Sequence, residues 1–254
     1  MAIYKKRGFK KKRFSNKIED IGQKSATANV FNTLDEGASK TEKWVADNQK
    51  YIFGLIGFIA IVVLGYFGYY KYIKEPKEVN SMDSMFVAQK LFEQALDENN
   101  DSIYRLSING TGKKMGFLEI IDKYSGTNAS NLSNYYVGMS YLKLKDYKNS
   151  IKYLSQFNSD DQILSSLAKG SIGDCFVQLD QLEDALDYYE KAIDINTNDY
   201  TTPMYLLKAA HVSMELNKNK KSYNYFSRIK SDFPNNIAAE NIDAFIAKAK
   251  ALLK

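Results

Sequence analysis

The feature that most constrains this chain is a run of twenty residues without one charge, YIFGLIGFIAIVVLGYFGYY at positions 51–70. Twenty helical residues at ~1.5 Å each span ~30 Å, which is the thickness of the hydrocarbon core of a bilayer. A core helix of a soluble domain is rarely apolar on every side over that length. The run therefore predicts a transmembrane helix, whose bounds we place at residues 51–72.

Aromatic side chains stand near both ends of this run, where rings settle at the headgroup level of a membrane. The residues that we expect at the two membrane interfaces are Trp44, Tyr51, Tyr69 and Tyr70. A cleaved signal peptide is the alternative, but its apolar segment is shorter and is followed by a small-x-small cleavage site. The residues after position 70, KYIKEPKEV, contain no such site. An uncleaved signal anchor fits the pattern better.

Charge is distributed unevenly on the two sides of the run. Residues 1–50 contain twelve Lys or Arg against six Asp or Glu, whereas residues 79–254 contain twenty basic against twenty-two acidic residues. Because flanking Lys and Arg are retained in the cytoplasm, this bias predicts a cytoplasmic N-terminus and an exported C-terminal part. The frequent Lys, Asn and Ile resemble a bacterial composition. We therefore expect a single-pass inner-membrane protein with a periplasmic C-terminal domain.

The basic residues of the tail are concentrated before its first acidic residue and alternate with aromatic ones. They are Lys5, Lys6, Arg7, Lys10, Lys11, Lys12, Arg13 and Lys17. Such a segment is expected to contact phosphates, either of anionic lipid or of ribosomal RNA. The simplest interpretation is a topology determinant that also lies on lipid, and ribosome contact is the alternative. Residues 29–50 additionally predict a helix next to the membrane.

The C-terminal half contains an internal repeat with a period of about 35 residues. Gly138, Gly173 and Ala210 are 35 and 37 positions apart, and side chains of similar size recur at fixed offsets after each. The recurring positions are Tyr141 and Phe176; Leu144, Leu179 and Leu216; Ser150, Ala185 and Ser222; and Leu154, Tyr189 and Phe226. This pattern, with Pro234 closing the third copy, is typical of tetratricopeptide repeats, in which paired helices cross closely at small side chains.

Together these patterns predict an all-α protein, in which a single transmembrane helix is followed by a tetratricopeptide (TPR) superhelical solenoid with a C-terminal capping helix. The expected parts are a basic cytoplasmic tail with its juxtamembrane helix (1–50), the transmembrane helix (51–72), a linker and degenerate first helical pair (73–130), three repeats (131–235) and the capping helix (236–254). Within the repeats we expect helices at 131–144 and 147–157, 162–179 and 182–195, and 201–216 and 220–231. Residues 97–114 predict a long polar loop with room for one short helix.

In repeats of this type the first helix of each pair lines a groove, and this groove is the expected protein-binding site. The candidate groove residues are Tyr135, Met139, Leu142, Asp174, Val177, Met204, Leu207, His211 and Met214. The surface is apolar and contains several Met, whose soft and adaptable side chains suit partners of varied sequence. The alternative is that these side chains pack against the capping helix or a loop.

The sequence offers little for catalysis. Its one His and one Cys, His211 and Cys175, leave no set of residues for nucleophilic catalysis, and no Gly-rich phosphate-binding motif occurs. We therefore expect no enzyme activity, no cofactor, no metal site and no small-molecule substrate. A single Cys also excludes an intrachain disulfide.

A basic tail, one anchor and an exported tetratricopeptide domain resemble the YfgM-type ancillary subunit of the bacterial SecYEG translocon. The segments FLEIIDKYSGTNASNLSNYYVGMSYLKLKDYKNSIKYL and SSLAKGSIGDCFVQLDQLEDALDYYEKA look like the version found in Bacteroidota. The resemblance implies a protein that lies beside the translocon and links it to periplasmic chaperones and emerging clients. Two alternatives remain open, a structural scaffold of another cell-envelope complex and a regulator that acts through its cytoplasmic tail.

Overall fold

The computed structural model describes residues 26–253, and the chain divides into two compact units, the first ending at Tyr70 and the second beginning at Lys71. Throughout residues 26–253 the regular structure is helical, and no strand is present. The predicted all-α class is therefore confirmed.

The first unit contains one long helix, α1 (Ala26–Tyr69), which includes both the predicted juxtamembrane helix and most of the uncharged run. Of the described helices, one is long and apolar enough to cross a membrane, and it contains this run. No residue of its most apolar stretch is buried in the protein, and Leu64, for example, is 71% exposed. So large an apolar surface needs lipid or another protein to cover it.

A π-helical turn, Tyr70–Lys74, includes the first residues of the second unit, which continues through ten α-helices within the described residues. They are α2 (Glu75–Glu98), α3 (Asp101–Asn109), α4 (Phe117–Lys123), α5 (Asn128–Lys143), α6 (Tyr147–Gln156), α7 (Gln162–Gln178), α8 (Leu182–Ile195), α9 (Thr201–Glu215), α10 (Asn219–Asp232) and α11 (Ile242–Ala251).

Helices α2 to α4 share one hydrophobic core with α5. The Phe92 ring of α2 lies edge-on to Tyr104 of α3 at 5.8 Å, and Phe117 of α4 stacks on Tyr136 of α5 at 4.9 Å. Helix α3 occupies the segment that was predicted mainly as a loop. It forms because the Asn100 side chain accepts a hydrogen bond from the Ser102 N–H and because Tyr104 is buried.

The next six helices form three hairpins, α5–α6, α7–α8 and α9–α10, and the small residues lie at the helix crossings as the repeat pattern predicts. A Cβ placed on Gly138 would lie 2.5 Å from Cγ of Leu154, and one on Gly173 would lie 2.6 Å from Cε1 of Tyr189. Only a residue without a side chain permits the two helices to approach this closely.

The turn inside each hairpin has the same conformation in all three copies. The second residue after the end of the first helix, Lys145, Asp180 or Asn217, has a φ of 58–60°. The next residue then donates its N–H to a carbonyl five positions earlier, as from Asp146 to Tyr141 at 2.9 Å. This is a Schellman motif, and its recurrence makes the three hairpins one local unit although their sequences differ here.

The C-terminal segment differs from the expected helix over residues 236–254. A 3₁₀ turn, Ile237–Ala239, comes first, and α11 begins only at Ile242. The interruption lies at Asn241, whose φ of 58° is incompatible with a right-handed helix. Helix α11 nevertheless packs on the last hairpin, because its Phe245 ring stacks on Phe226 at 5.3 Å.

Candidate functional site

The first helices of the three hairpins, α5, α7 and α9, carry all nine candidate groove residues, and we call the surface formed by these nine side chains the groove face. Each of the nine is half-buried, neither closed inside the core nor fully exposed. A half-buried apolar side chain contributes to packing and still offers surface to a partner. Both interpretations given by the sequence, partner binding and packing, therefore stay open for these nine side chains.

Three of the nine, Leu142, Asp174 and Val177, come together around a single cavity of about 330 Å³ between the first and second hairpins. We call it the inter-repeat cavity. The other residues that line it are Lys143, Lys145, Tyr147, Gln178 and Tyr189. It lies between the C-terminal end of α5, in the first hairpin, and the second hairpin, where it is lined by the C-terminal end of α7 and by α8.

Asp174 is the most heavily hydrogen-bonded residue of the groove face. Its Oδ1 accepts hydrogen bonds from Tyr189 Oη at 2.7 Å and from Lys208 Nζ at 2.6 Å, and its Oδ2 accepts a second one from Lys208 at 2.8 Å. Burial, followed by the nearby Asp174 carboxylate, raises the pKa of Tyr189, which therefore stays protonated. The Asp174 charge is thus matched by Lys208 inside the protein.

Tyr135 and Met139 lie on α5 away from the inter-repeat cavity and serve largely in packing. The Tyr135 ring lies 5.3 Å from Phe157, and Met139 packs against the cores of both the first hairpin and the preceding helices. Burial raises the pKa of Tyr135, with smaller contributions from the hydroxyls of Tyr136 and Tyr200. The Tyr200 side chain is 62% exposed.

The four candidates on α9 pack against the core of the last hairpins. Met204, Leu207 and Met214 contact this core, and the His211 ring lies between Phe226 and Phe245 at 5.4 and 5.0 Å. Burial lowers the pKa of His211 below its ordinary value of 6.5. The structure therefore places His211 next to the terminal helix α11 and outside the inter-repeat cavity.

The tail candidates, Lys5, Lys6, Arg7, Lys10, Lys11, Lys12, Arg13 and Lys17, lie outside the described residues. The four interface candidates lie along one helical stretch and are all exposed. Tyr51 and Tyr69 are ~27 Å apart along a helix, and Trp44 and Tyr70 ~39 Å, at ~1.5 Å per residue. These spacings match the hydrocarbon core and the interfacial thickness of a bilayer.

Cys175 is buried, donates its S–H to Ser150 Oγ at 3.2 Å, and has a pKa raised to about 11 by burial, so that it stays a thiol. Across the part of the chain that the structure describes, no group of three or more His, Cys, Asp or Glu is placed to hold a metal ion.

Lys145 of the inter-repeat cavity, and Lys208, were not among the predicted site residues. Lys145 carries a signal that sequence reasoning missed, since it stands at the turn position where the other copies have Asp180 and Asn217, which adopt positive φ more readily. Lys208 has no such signal, because its contact with Asp174 joins residues 34 positions apart.

Comparison with known proteins gives one family match. The tetratricopeptide repeat matches residues 168–199, which comprise most of α7, all of α8 and the turn that joins them. No curated protein matches the chain. A tetratricopeptide repeat suggests a role in protein–protein interaction, and such repeats are generally non-enzymatic scaffolds. The second hairpin is thus similar to a known interaction repeat. One side of this hairpin lines the inter-repeat cavity.

Proposed function

We propose that the chain is a single-pass membrane protein that acts as a non-enzymatic accessory of the Sec translocon. Its N-terminal segment stays in the cytoplasm, and its helical unit is exported to the periplasm of a bacterial cell. There the groove face engages periplasmic chaperones or clients that emerge from SecYEG.

The membrane part of this proposal is supported by α1. Its apolar stretch is unburied, its aromatic residues are spaced like the two interfaces of a bilayer, and its basic flank lies on the N-terminal side. An anchor of this kind keeps the following unit close to the membrane. Sequences leaving a translocon first become available at that location.

The observation that carries the binding part is the inter-repeat cavity. It places half-exposed apolar side chains, Leu142 and Val177, beside polar groups on the surface of a repeat unit. Binding sites for peptides combine apolar contact area with a few polar groups that fix orientation. The resemblance to the YfgM-type subunit adds the translocon as the partner complex.

The tail supports a second contact on the cytoplasmic side. Its eight basic residues suit phosphates of anionic lipid or, as the alternative, of ribosomal RNA at the translocon. Each Lys or Arg near an anionic leaflet contributes ~1 kcal/mol, so lipid alone is sufficient to hold the tail. The N-terminal tail would then act on the cytoplasmic side of the membrane and the helical unit on the periplasmic side.

Photo-crosslinking in cells tests the binding part. A crosslinking amino acid at Leu142 or Val177, which line the inter-repeat cavity, should capture SecY, a periplasmic chaperone or an exported client. The matched control is Asp187, an exposed residue on the outer helix α8. Capture of only unrelated envelope proteins would favour the scaffold alternative, and complementation of a deletion by residues 1–50 alone would favour the regulator.

Protease protection tests the orientation. In intact spheroplasts, added protease should digest the helical unit, and an N-terminal tag should remain protected. The reverse pattern, with the tag digested and the helical unit spared, would refute the proposed topology and with it the periplasmic role.

A further inference from the structure

We propose that the inter-repeat cavity selects an acidic peptide segment, in which a bulky apolar side chain is flanked by carboxylates. This inference rests on the proposed protein-binding role of the groove face and names the chemistry of its ligand. Three features of the cavity support it: the composition of its floor, the charges at its rim and the conformation of one rim residue.

The floor of the cavity suits one apolar side chain. Leu142 of α5 and Val177 of α7 face it together with the rings of Tyr147 and Tyr189. The volume of about 330 Å³ lies at the lower end of the ~300–1,000 Å³ that is typical of small-molecule pockets. Such a space holds a Leu or Phe side chain of a peptide and is too small for a large cofactor.

The rim of the cavity carries two lysines whose charges are not paired within the described residues. Lys143 and Lys145 line it, both are exposed, and within the described residues neither forms an ion pair. Asp174 does not compensate them, because its carboxylate is already bound by Lys208 and Tyr189. A ligand with carboxylates on either side of its apolar side chain complements this arrangement.

The backbone conformation at Lys145 also supports this ligand class. Its φ of 60° is a conformation that Asn and Asp adopt more readily than Lys, and Asp180 and Asn217 stand at the equivalent turns. The first hairpin thus holds a cation at a position where the local backbone favours another residue. A residue that is less favourable for the local backbone and lies beside a cavity is consistent with a functional role for its side chain.

Fluorescence anisotropy with the full-length protein in detergent micelles tests this inference. The probes are three labelled twelve-residue peptides with a central Phe-Leu pair, flanked on both sides by Glu, Gln or Lys. At low salt the Glu peptide should bind at least about tenfold more tightly than the Lys peptide, and added salt should reduce the difference. The Gln peptide should fall between them.

Substitutions at the rim sharpen the test. Lys143→Gln and Lys145→Asn should each weaken binding of the Glu peptide by about threefold, the effect of one exposed ion pair, and leave binding of the Gln peptide unchanged. Lys220→Asn, which removes an exposed lysine of the third hairpin, should have no effect. Because Asn suits the turn at residue 145, a loss of binding in that variant is not explained by misfolding.

The inference is wrong if the three peptides bind equally, if the Glu peptide does not bind, or if both rim variants bind it like the unaltered protein. These results are distinguishable from failure of the proposed function. Crosslinks from Leu142 and Val177 to an exported partner would preserve the groove role when the preference for acidic peptides is absent. A preference for the Glu peptide without any such crosslink would leave the cavity chemistry intact and remove the translocon partner.

Discussion

Tyr205 of α9 lies directly on Gly170 of α7, so that any Cβ at position 170 would overlap the tyrosine ring. The same ring stacks on Tyr189 of α8 at a centroid distance of 6.0 Å, and the Tyr205 hydroxyl donates a hydrogen bond to the Leu167 carbonyl at 3.4 Å. One aromatic side chain thus joins the second hairpin to the third. The Tyr205 ring also covers α7 at Gly170. A ligand of the groove face therefore reaches α7 nearer its C-terminal end.

This contact predicts that Gly170→Ala destabilises the protein by about 1–3 kcal/mol, the usual cost of overpacking a core. The loss should exceed the gain of up to about 1 kcal/mol that Ala normally brings to a helix. In a Tyr205→Ala background the ring is gone, and the same substitution should become neutral or stabilising. Urea denaturation of the four proteins of this cycle, followed by circular dichroism, measures the coupling. Equal effects in both backgrounds would contradict the proposed contact.

The turn at Lys145 predicts a substitution that increases stability. Lys145→Asn should raise the free energy of unfolding by about 0.5–1 kcal/mol, because Asn adopts a φ of 60° at a lower free-energy cost than Lys. The reverse change at the equivalent turn of the third hairpin, Asn217→Lys, should lower it by a similar amount. Thermal unfolding of both variants checks the pair. A change of the same sign at both positions would show that the turns are not equivalent.

Burial of His211 predicts a dependence of stability on pH. Its pKa in the folded protein lies below 6.5, mainly through burial, with Lys248 lowering it further and Glu215 opposing this shift. As the pH falls below 6.5 the unfolded chain therefore takes up a proton that the folded protein does not, and the free energy of unfolding decreases. His211→Gln should lose less stability than the unaltered protein between pH 7.5 and 5 in urea denaturation. Parallel losses would mean that other groups dominate.

The membrane position of Trp44 is measurable because it is the only tryptophan of the chain. In liposomes its emission should shift to the blue, and quenchers attached near the lipid headgroup should act more strongly than quenchers deep in the acyl chains. A tryptophan moved to the centre of the span, in the double variant Trp44→Phe/Ile61→Trp, should show the opposite order. Equal quenching of both proteins by aqueous acrylamide would exclude insertion of this segment.

Several elements of the fold were predictable from local patterns. The hairpin helices begin and end within three residues of their predicted bounds, because caps such as Asp146 and Asp161 and left-handed residues such as Asn217 act on the neighbouring backbone alone. Helix α3 and the break at Asn241 were not predicted in this form. Helix α3 depends on burial of Tyr104 against Phe92, and the break on a single left-handed residue that Asn tolerates but does not require.

The candidate site was predictable only in part. The repeat period places the nine candidates on α5, α7 and α9, where all nine are half-buried, since residues at equal offsets on equivalent helices share an environment. It did not distinguish Leu142 and Val177, which line the inter-repeat cavity, from His211, which is covered by Phe245. That distinction depends on neighbouring helices, and α11 reaches His211 from more than thirty positions away along the chain.

The sequence by itself determined that one segment is fit to cross a membrane, that the basic residues are concentrated on its N-terminal side, and that paired helices follow with close crossings at Gly138 and Gly173. These properties follow from the length of an apolar run, from charge and from a missing side chain, and each acts over a few residues. The tertiary structure alone decided that Lys208 neutralises Asp174 and that, among the described residues, Lys143 and Lys145 stay without ion pairs beside the inter-repeat cavity. Ion pairing of this kind is a property of distance in space, which packing of the three hairpins sets and which spacing along the chain does not reveal.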